Sequence, residues 1–330
     1  MLLEKLQERV DQGYSIAIFP EGTRSTSEEM LRFKKGAFFL AEQLNLDIVP
    51  MLIHGTRDFL GKGKFWGRAN DIHVKIENRI LASDKSHGEN YSEKCKSISS
   101  WFKKEYNILR KEKETVDYHR EKLVYNYIYK GPVTEWYMKV KTKMEENYQI
   151  FDEIIPEKAK VSDIGCGYGF MTYFLSLSAP ERTFVSMDYD GQKIAVANNC
   201  QAKNDQINFI HADITEQPFE KSDVFIIADV LHYLLPAQQF KILDKCVENL
   251  EENGFIILRD GDADLQERHK GTKLTEIFST NSGFNKTQNK LHFLSGKQIK
   301  EWANAKNLNL QLIDETKFTS NVIFVLKSIK

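Results

Sequence analysis

The chain has little of anything that would set it apart from ordinary globular proteins. Its four cysteines, Cys95, Cys166, Cys200 and Cys246, show no C-x-x-C pair and no even spacing across 330 residues. That pattern argues against a disulfide framework or a cysteine zinc site and suits a reducing compartment. Long apolar runs are also missing. Phe225–Ile227 and Val322–Leu326 have the length of a strand and fall far short of a membrane span. No charged-then-apolar leader opens the chain. Neither charge sign dominates: 46 Lys and Arg against 47 Asp and Glu leave a formal net charge of −1. No overall field therefore favours nucleic acid. Internal repeats and low-complexity tracts are absent. His269 and His292 have no carboxylate or cysteine at ligand spacing, so no metal is expected. The expectation is a soluble, cytoplasmic protein, 41% hydrophobic and 28% charged, long enough for two domains with separate cores.

The first part alternates helix and strand. Leu2, Leu3, Leu6 and Val10 share a helical face that Gly13 ends. Strands are expected at Ser15–Phe19, Ile48–Ile53 and Val74–Ile80, with a helix through Phe38, Leu40, Ala41 and Leu44. From Tyr91 to about Arg120 the chain turns charged and helical. The boundary is expected near Glu112–Asp117, giving domains over 1–112 and 113–330. Ser97–Lys113 carries Ile98, Trp101, Phe102, Ile108 and Leu109 among lysines. It reads as a linker helix packing its apolar stripe, with a helix resting on an anionic bilayer as the alternative.

The second part opens with aromatic-rich helices (Tyr125, Tyr127, Tyr129, Trp136, Tyr137, Tyr148). Strands follow at Val161–Ile164, Thr183–Met187, Ile207–His211, Val224–Ala228 and Phe255–Arg259, with a late pair at Leu310–Ile313 and Val322–Leu326. Helical patterns between them, as at Ile194–Gln201 and Gln238–Leu250, imply crossovers. The fold class is α/β, a doubly wound and mostly parallel sheet of Rossmann-like type, preceded by a partial α/β domain.

The strongest local signal is Val161-Ser162-Asp163-Ile164-Gly165-Cys166-Gly167-Tyr168-Gly169. A buried strand enters a glycine turn where no Cβ keeps a ligand away, and a helix starts at Phe170. The spacing is G-x-G-x-G, where a dinucleotide enzyme wants G-x-G-x-x-G. Asp163 before the turn suits the amino group and sulfonium of S-adenosylmethionine and would repel a pyrophosphate. Asp188 closes the next strand, where an acid meets ribose hydroxyls. Asp213 follows the third strand, placed to accept from an adenine amino group, and Asp229 ends the fourth. Cys166, Tyr189 and Ile214, beside these groups, complete the candidate cofactor set.

Asp163–Gly169, Asp188, Asp213 and Asp229–Tyr233 resemble the successive motifs of class I S-adenosylmethionine-dependent methyltransferases, over roughly Val161 to Lys327. The resemblance implies that Gly165 and Gly167 flank the methionine moiety, Asp188 binds the ribose and Asp213 the adenine. Asp229 is then near the transferable methyl. Such an enzyme mainly aligns the acceptor and excludes water. A hydroxyl or acidic-carbon acceptor also needs a base, and His232 is the candidate, with packing beside the site as its alternative role. Asp260 and Asp262 read as a solvated loop or as acceptor-facing groups. Trp136, Tyr137 and Tyr148 either cover an acceptor or pack their own helices. A module that binds S-adenosylmethionine without catalysis is the rival from another class.

Phe19-Pro20-Glu21-Gly22-Thr23-Arg24-Ser25, followed by an apolar strand ending in Val49-Pro50, resembles blocks of glycerol-phosphate and lysophospholipid acyltransferases. The resemblance implies phosphate binding by Glu21, Gly22, Thr23 and Arg24, where Arg24 can make charge-assisted bonds. The family's catalytic H-x-x-x-x-D is missing, since no histidine precedes Glu21. His54 and Asp58 form an H-x-x-x-D, one residue short and on the wrong side. The region is therefore expected to lack acyl transfer as it stands, unless a longer parent protein supplies the base. The order acyltransferase then methyltransferase is similar to the tail of trifunctional proteins that add an MMPL-type transporter. That implies a small-molecule or lipid-linked acceptor, attachment to an upstream transporter segment or peripheral membrane contact, and a place at the inner face of the membrane.

Overall fold

A computed structural model describes residues 2–26, 29–63, 65–67, 70–144, 148–265, 291–314 and 321–328. His269 lies outside them. The chain divides into two compact units, Met1–Glu121 and Lys122–Lys330.

The first unit comprises α1 (Leu2–Asp11), α2 (Gly36–Gln43), β1 (Met51–His54), α3 (Thr56–Phe59), β2 (His73–Ile76) and α4 (Tyr91–Lys113). The division falls inside α5 (Val116–Asn126). Gly13, at φ 88, donates to the Val10 carbonyl and ends α1 as expected. Phe33, Phe38, Ile80, Cys95 and Ile98 form a small core on which Trp101 and Phe102 pack. Most of the apolar stripe of α4 thus packs inside this unit, while Ile108 stays exposed. β1 and β2 pair antiparallel, Met51 with Ile76 through His54 with His73. Ile48 keeps only an isolated bridge to Ile80. The strand expected at Ser15–Phe19 does not form. Its residues join no ladder, and Ile18 and Phe19 are exposed. Among the described residues this unit offers only a two-stranded sheet, so the segment's apolar alternation finds no partner.

In the second unit α6 (Pro132–Met144) and α7 (Tyr148–Ile154) lead into β3 (Lys160–Ile164), α8 (Phe170–Ser178), β4 (Thr183–Asp188), α9 (Gly191–Asn198) and β5 (Ile207–His211). Next come β6 (Ser222–Ala228), a 3-10 turn (Leu231–Tyr233), α10 (Pro236–Glu248), β7 (Leu250–Gly261), α11 (Gly296–Ala305), β8 (Leu308–Ile313) and β9 (Asn321–Ser328). The sheet order is β5-β4-β3-β6-β7-β9-β8. β3 to β7 run parallel; β9 pairs antiparallel with both β7 and β8, so it alone of the seven strands is reversed. The expected strands are all present. β7 starts earlier than expected because its register shifts between Ser222 and Val224 of β6, which takes up Asn253 at φ 68 and Gly254. Phe225–Ile227 and Ile256–Leu258 are buried on both faces of the sheet, which explains their unbroken apolar runs.

From β3 the chain crosses to β4 and β5 on one side, then returns to β6 on the other. The reversal leaves a crevice between the tips of β3 and β6, where ligands bind in open α/β sheets.

Candidate active site

The glycine turn follows β3 at that crevice. Gly165, Gly167 and Gly169 all have positive φ, at 82, 56 and 74. A methyl group on Gly165 would overlap the Val230 side chain beyond β6, and one on Gly169 would overlap the Phe209 ring. Gly167 differs: no described atom lies within 4 Å of where its Cβ would stand. Two of the glycines let structure close up, and the third leaves room for a ligand.

The turn is tied to the tip of β4. Gly165 and Cys166 both donate backbone N–H to the Met187 carbonyl, at 2.7 and 2.9 Å. The buried Asp188 carboxylate accepts from Gly167 N at 2.8 Å and from Asp190 N at 2.8 Å. Asp190 caps α9 in turn. Tyr189 is half exposed beside it. Asp213 lies beyond β5, exposed, and its carboxylate accepts from the Thr215 N–H and hydroxyl; Ile214 next to it is buried. Asp188 pairs in register with His211, two residues before Asp213. These candidates therefore follow adjacent strand ends.

Asp163 sits lower. It is 3% exposed inside β3 and accepts from the Thr172 hydroxyl at 2.7 Å. Burial pushes its carboxyl up to about 7, the Thr172 bond opposing the rise and the Asp188 charge adding to it. Cys166 in the turn also has its thiol pushed well up by burial, so it is a neutral, unreactive group.

On the β6 side, Asp229 has left-handed backbone at φ 58. It forms an ion pair with Arg259 and accepts from the Asn321 amide at 3.3 Å. His232 is 1% exposed. Its Nδ1 lies 2.6 Å from Asp260 Oδ1, its backbone N–H donates to Asp260 Oδ2 at 3.2 Å, and its ring stacks on Phe293 at 4.9 Å. Asp260 and Asp262 are thus no solvated loop. Both are 6% exposed, because β7 continues through Gly261 and pairs Asp260 with Val322 of β9. Asp262 instead accepts from Asp264 N and Gly296 N at 2.8 Å each. Gln239 of α10, fully buried, donates to the carbonyls of Leu231, Leu234 and His292 and so fixes the turn that carries His232.

The aromatic approach to β3 mostly packs. Tyr148 is buried against Phe170 and Phe174, and the Tyr127 hydroxyl donates to the Tyr168 carbonyl at 2.7 Å, bracing the glycine turn. Tyr137 lies 6.3 Å from the Tyr168 ring, and Trp136 is half exposed. Sequence reasoning missed Tyr127, Gln239, Arg259 and Asn321. Arg259 alone left a signal, a cation at a strand end one residue before Asp260.

In the first unit, Glu21 accepts from Leu31 N at 2.7 Å, Gly22 has φ 71, Thr23 is exposed and Arg24 donates to the Leu60 carbonyl at 3.2 Å. The Lys34 ammonium crosses Gly22, 3.0 Å from where a Cβ would stand. His54 and Asp58 are no dyad. The buried His54 meets the Tyr106 hydroxyl and Glu114, at 3.3 and 3.6 Å, and Asp58 accepts from the Tyr118 hydroxyl at 2.5 Å. Among the described residues no cluster suited to a metal ion occurs.

A family model for a methyltransferase domain matches residues 161–254. The second unit carries a methyltransferase domain. Its sheet order and crossovers are those of the class I methyltransferase fold. An acyltransferase family model matches residues 1–54, so the methyltransferase domain is preceded by an acyltransferase-like fragment. The chain is 22% identical over 143 residues to the carboxy-S-adenosyl-L-methionine synthase of Campylobacter lari, covering 42% of this chain and 61% of that protein. It is 43% identical over 81 residues to the 1-acyl-sn-glycerol-3-phosphate acyltransferase of Limnanthes douglasii, covering 24% of this chain and 29% of that enzyme. The chain thus spans less than two thirds of the length of either relative. Similar solved structures include the pyocyanin biosynthetic protein PhzM, at 12% identity and TM-score 0.49, covering 72% of this chain and 68% of that one. Another is CalO1, a calicheamicin-biosynthesis methyltransferase bound to S-adenosylhomocysteine, at 15% identity and TM-score 0.45, covering 60% and 57%.

The methyltransferase domain fits S-adenosylmethionine. Room at Gly167, carboxylates at successive strand ends and a glycine turn held open by its own backbone bonds suit a cationic, amino-acid-bearing nucleoside.

Proposed function

We propose that the second unit binds S-adenosylmethionine along the tips of β3, β4 and β5 and methylates an acceptor hydroxyl held before His232. The cofactor, when bound, supplies a methyl group activated by positive sulfur. Gly165, Cys166, Gly167 and Gly169 hold its methionine end, Asp188 and Tyr189 its ribose, and Asp213 and Ile214 its adenine. Asp163, buried below the turn with its carboxyl pushed up to about 7, takes on its negative charge where the amino group's cation favours it. Both the Campylobacter lari synthase and the ligand of CalO1 carry an S-adenosyl group in their names, which supports the same nucleoside here.

The observation that carries the hydroxyl acceptor is the His232–Asp260 pair. With Nδ1 committed to Asp260, Nε2 would take the acceptor's proton as its oxygen gains the methyl group, the sulfur–methyl bond breaking to leave neutral S-adenosylhomocysteine. Asp260 then stabilises the imidazolium. Asp229, clamped by Arg259 and Asn321, shapes the wall beside the reacting atoms.

The test is transfer of labelled methyl to a panel of phenols and hydroxylated lipids. Turnover should fall roughly 10²- to 10⁴-fold in His232→Ala and less in Asp260→Asn, with affinity for S-adenosylhomocysteine unchanged. Binding without turnover on any acceptor would favour a module without catalysis.

The order of the two matched segments supports a finer reading. The acceptor is a small molecule or a lipid-linked one, and a longer parent protein adds a transporter segment at the inner membrane face and the missing H-x-x-x-x-D. Coding sequence upstream of Met1 tests it.

A further inference from the structure

The excursion between α3 and β2 in the first unit has no part in methyl transfer. Its two stems are pinned together. The Asn70 amide donates to the Gly55 carbonyl at 3.2 Å and to the Tyr118 hydroxyl at 3.4 Å, and that hydroxyl holds Asp58. Gly55 lies so close to the Asp71 carbonyl that a Cβ would overlap it. Farther out, Arg24 holds the Leu60 carbonyl, and Gly67 backs onto the Phe59 ring, where a Cβ would come within 3.2 Å. Beyond these ties Phe65 and Trp66 stand side by side, 95% and 87% exposed.

Two adjacent aromatic rings in water forgo their whole burial gain, and a pinned stem keeps them from folding back. The sequence around them is basic. Residues 57–68 hold Arg57, Lys62, Lys64 and Arg68 against one acid, Asp58, which is already taken by Tyr118. Aromatic tips between cations match the boundary of an anionic bilayer, where rings settle at headgroup depth and cations meet phosphates. The stripe on α4 leaves only Ile108 exposed for such a contact, because Ile98 and Leu109 are buried and Trp101 and Phe102 pack on the core. Among the described residues no helix is long and apolar enough to cross a membrane, so any contact made here is peripheral.

We infer that this loop is a membrane-docking tip: Phe65 and Trp66 enter the interface of an anionic bilayer while Arg57 and Lys62 face its headgroups. The inference uses the first unit alone and stands or falls independently of methyl transfer.

Sedimentation of the full chain with vesicles of two parts phosphatidylcholine to one part phosphatidylglycerol tests it. Binding should weaken as salt rises and should exceed binding to phosphatidylcholine alone. Phe65→Ser with Trp66→Ser should weaken it roughly tenfold or more. Tyr129→Ser, which removes another ring that is 91% exposed, should not change it. Trp66→Phe should remove most tryptophan quenching by brominated lipid. The inference is overturned if the chain ignores anionic vesicles, if the double variant binds as tightly as the wild type, or if Tyr129→Ser costs as much.

Discussion

Ser15–Phe19 in the first unit and Val161–Ile164 in the second are short apolar segments, and by residue preference the former is the better strand. Ile16, Ile18 and Phe19 favour extended structure, whereas Val161–Ile164 contains Ser162 and Asp163. Yet the second is the central strand β3, hydrogen-bonded to β4 and β6, and the first joins no ladder. The contrast shows that a strand is made by its neighbours. Where β4 and β6 flank the segment, even a carboxylate is carried into the interior. Without a partner, Phe19 is left 76% exposed.

Paired substitutions sharpen that contrast. Ile164 is fully buried, so Ile164→Ala should cost about 2–5 kcal/mol in urea unfolding. Ile18→Ala should stay within about 0.5 kcal/mol. Similar losses at the two sites would mean that Ser15–Phe19 is paired after all. The glycines extend the comparison on a smaller scale. Gly165→Ala forces a methyl into Val230 at φ 82 and should cost about 1–3 kcal/mol. Gly13→Ala meets no described atom within 4 Å and should cost about 1 kcal/mol or less, from its φ of 88 alone.

The carboxylate carried into the interior adds a dependence on pH. Asp163 holds its proton up to about 7 in the folded protein and releases it near 3.8 when unfolded. The folded state therefore binds more protons across that window, and stability should decline as pH rises through it. Asp163→Asn should remove this decline. Its Tm without cofactor should gain on the wild type at about pH 8 relative to about pH 5.

The second unit was largely legible because its strands are uninterrupted apolar runs separated by helices, and that pattern needs no tertiary knowledge. The glycine turn and the acids at strand ends were legible for the same reason. Asp260 was not. Arg259-Asp260-Gly261-Asp262 has the composition of a loop, and only pairing with β9, more than sixty residues later, takes it inside to meet His232. The aromatics before β3 left two readings open for a different reason. A tyrosine that braces a turn by its hydroxyl, as Tyr127 does, has the same composition as one that covers a substrate. In the first unit the Glu21–Arg24 block was readable only by its resemblance to acyltransferases, and the Lys34 side chain over Gly22 carried no sequence signal.

Calorimetric titration of S-adenosylhomocysteine into the wild type and Gly167→Ala tests the central claim most directly, because that glycine alone of the three has open space where its Cβ would stand. A single site should appear in the wild type, weakened at least about tenfold by the added methyl while the melting curve barely moves. Folded wild-type protein that takes up no ligand, or a variant that binds as tightly, would contradict the account.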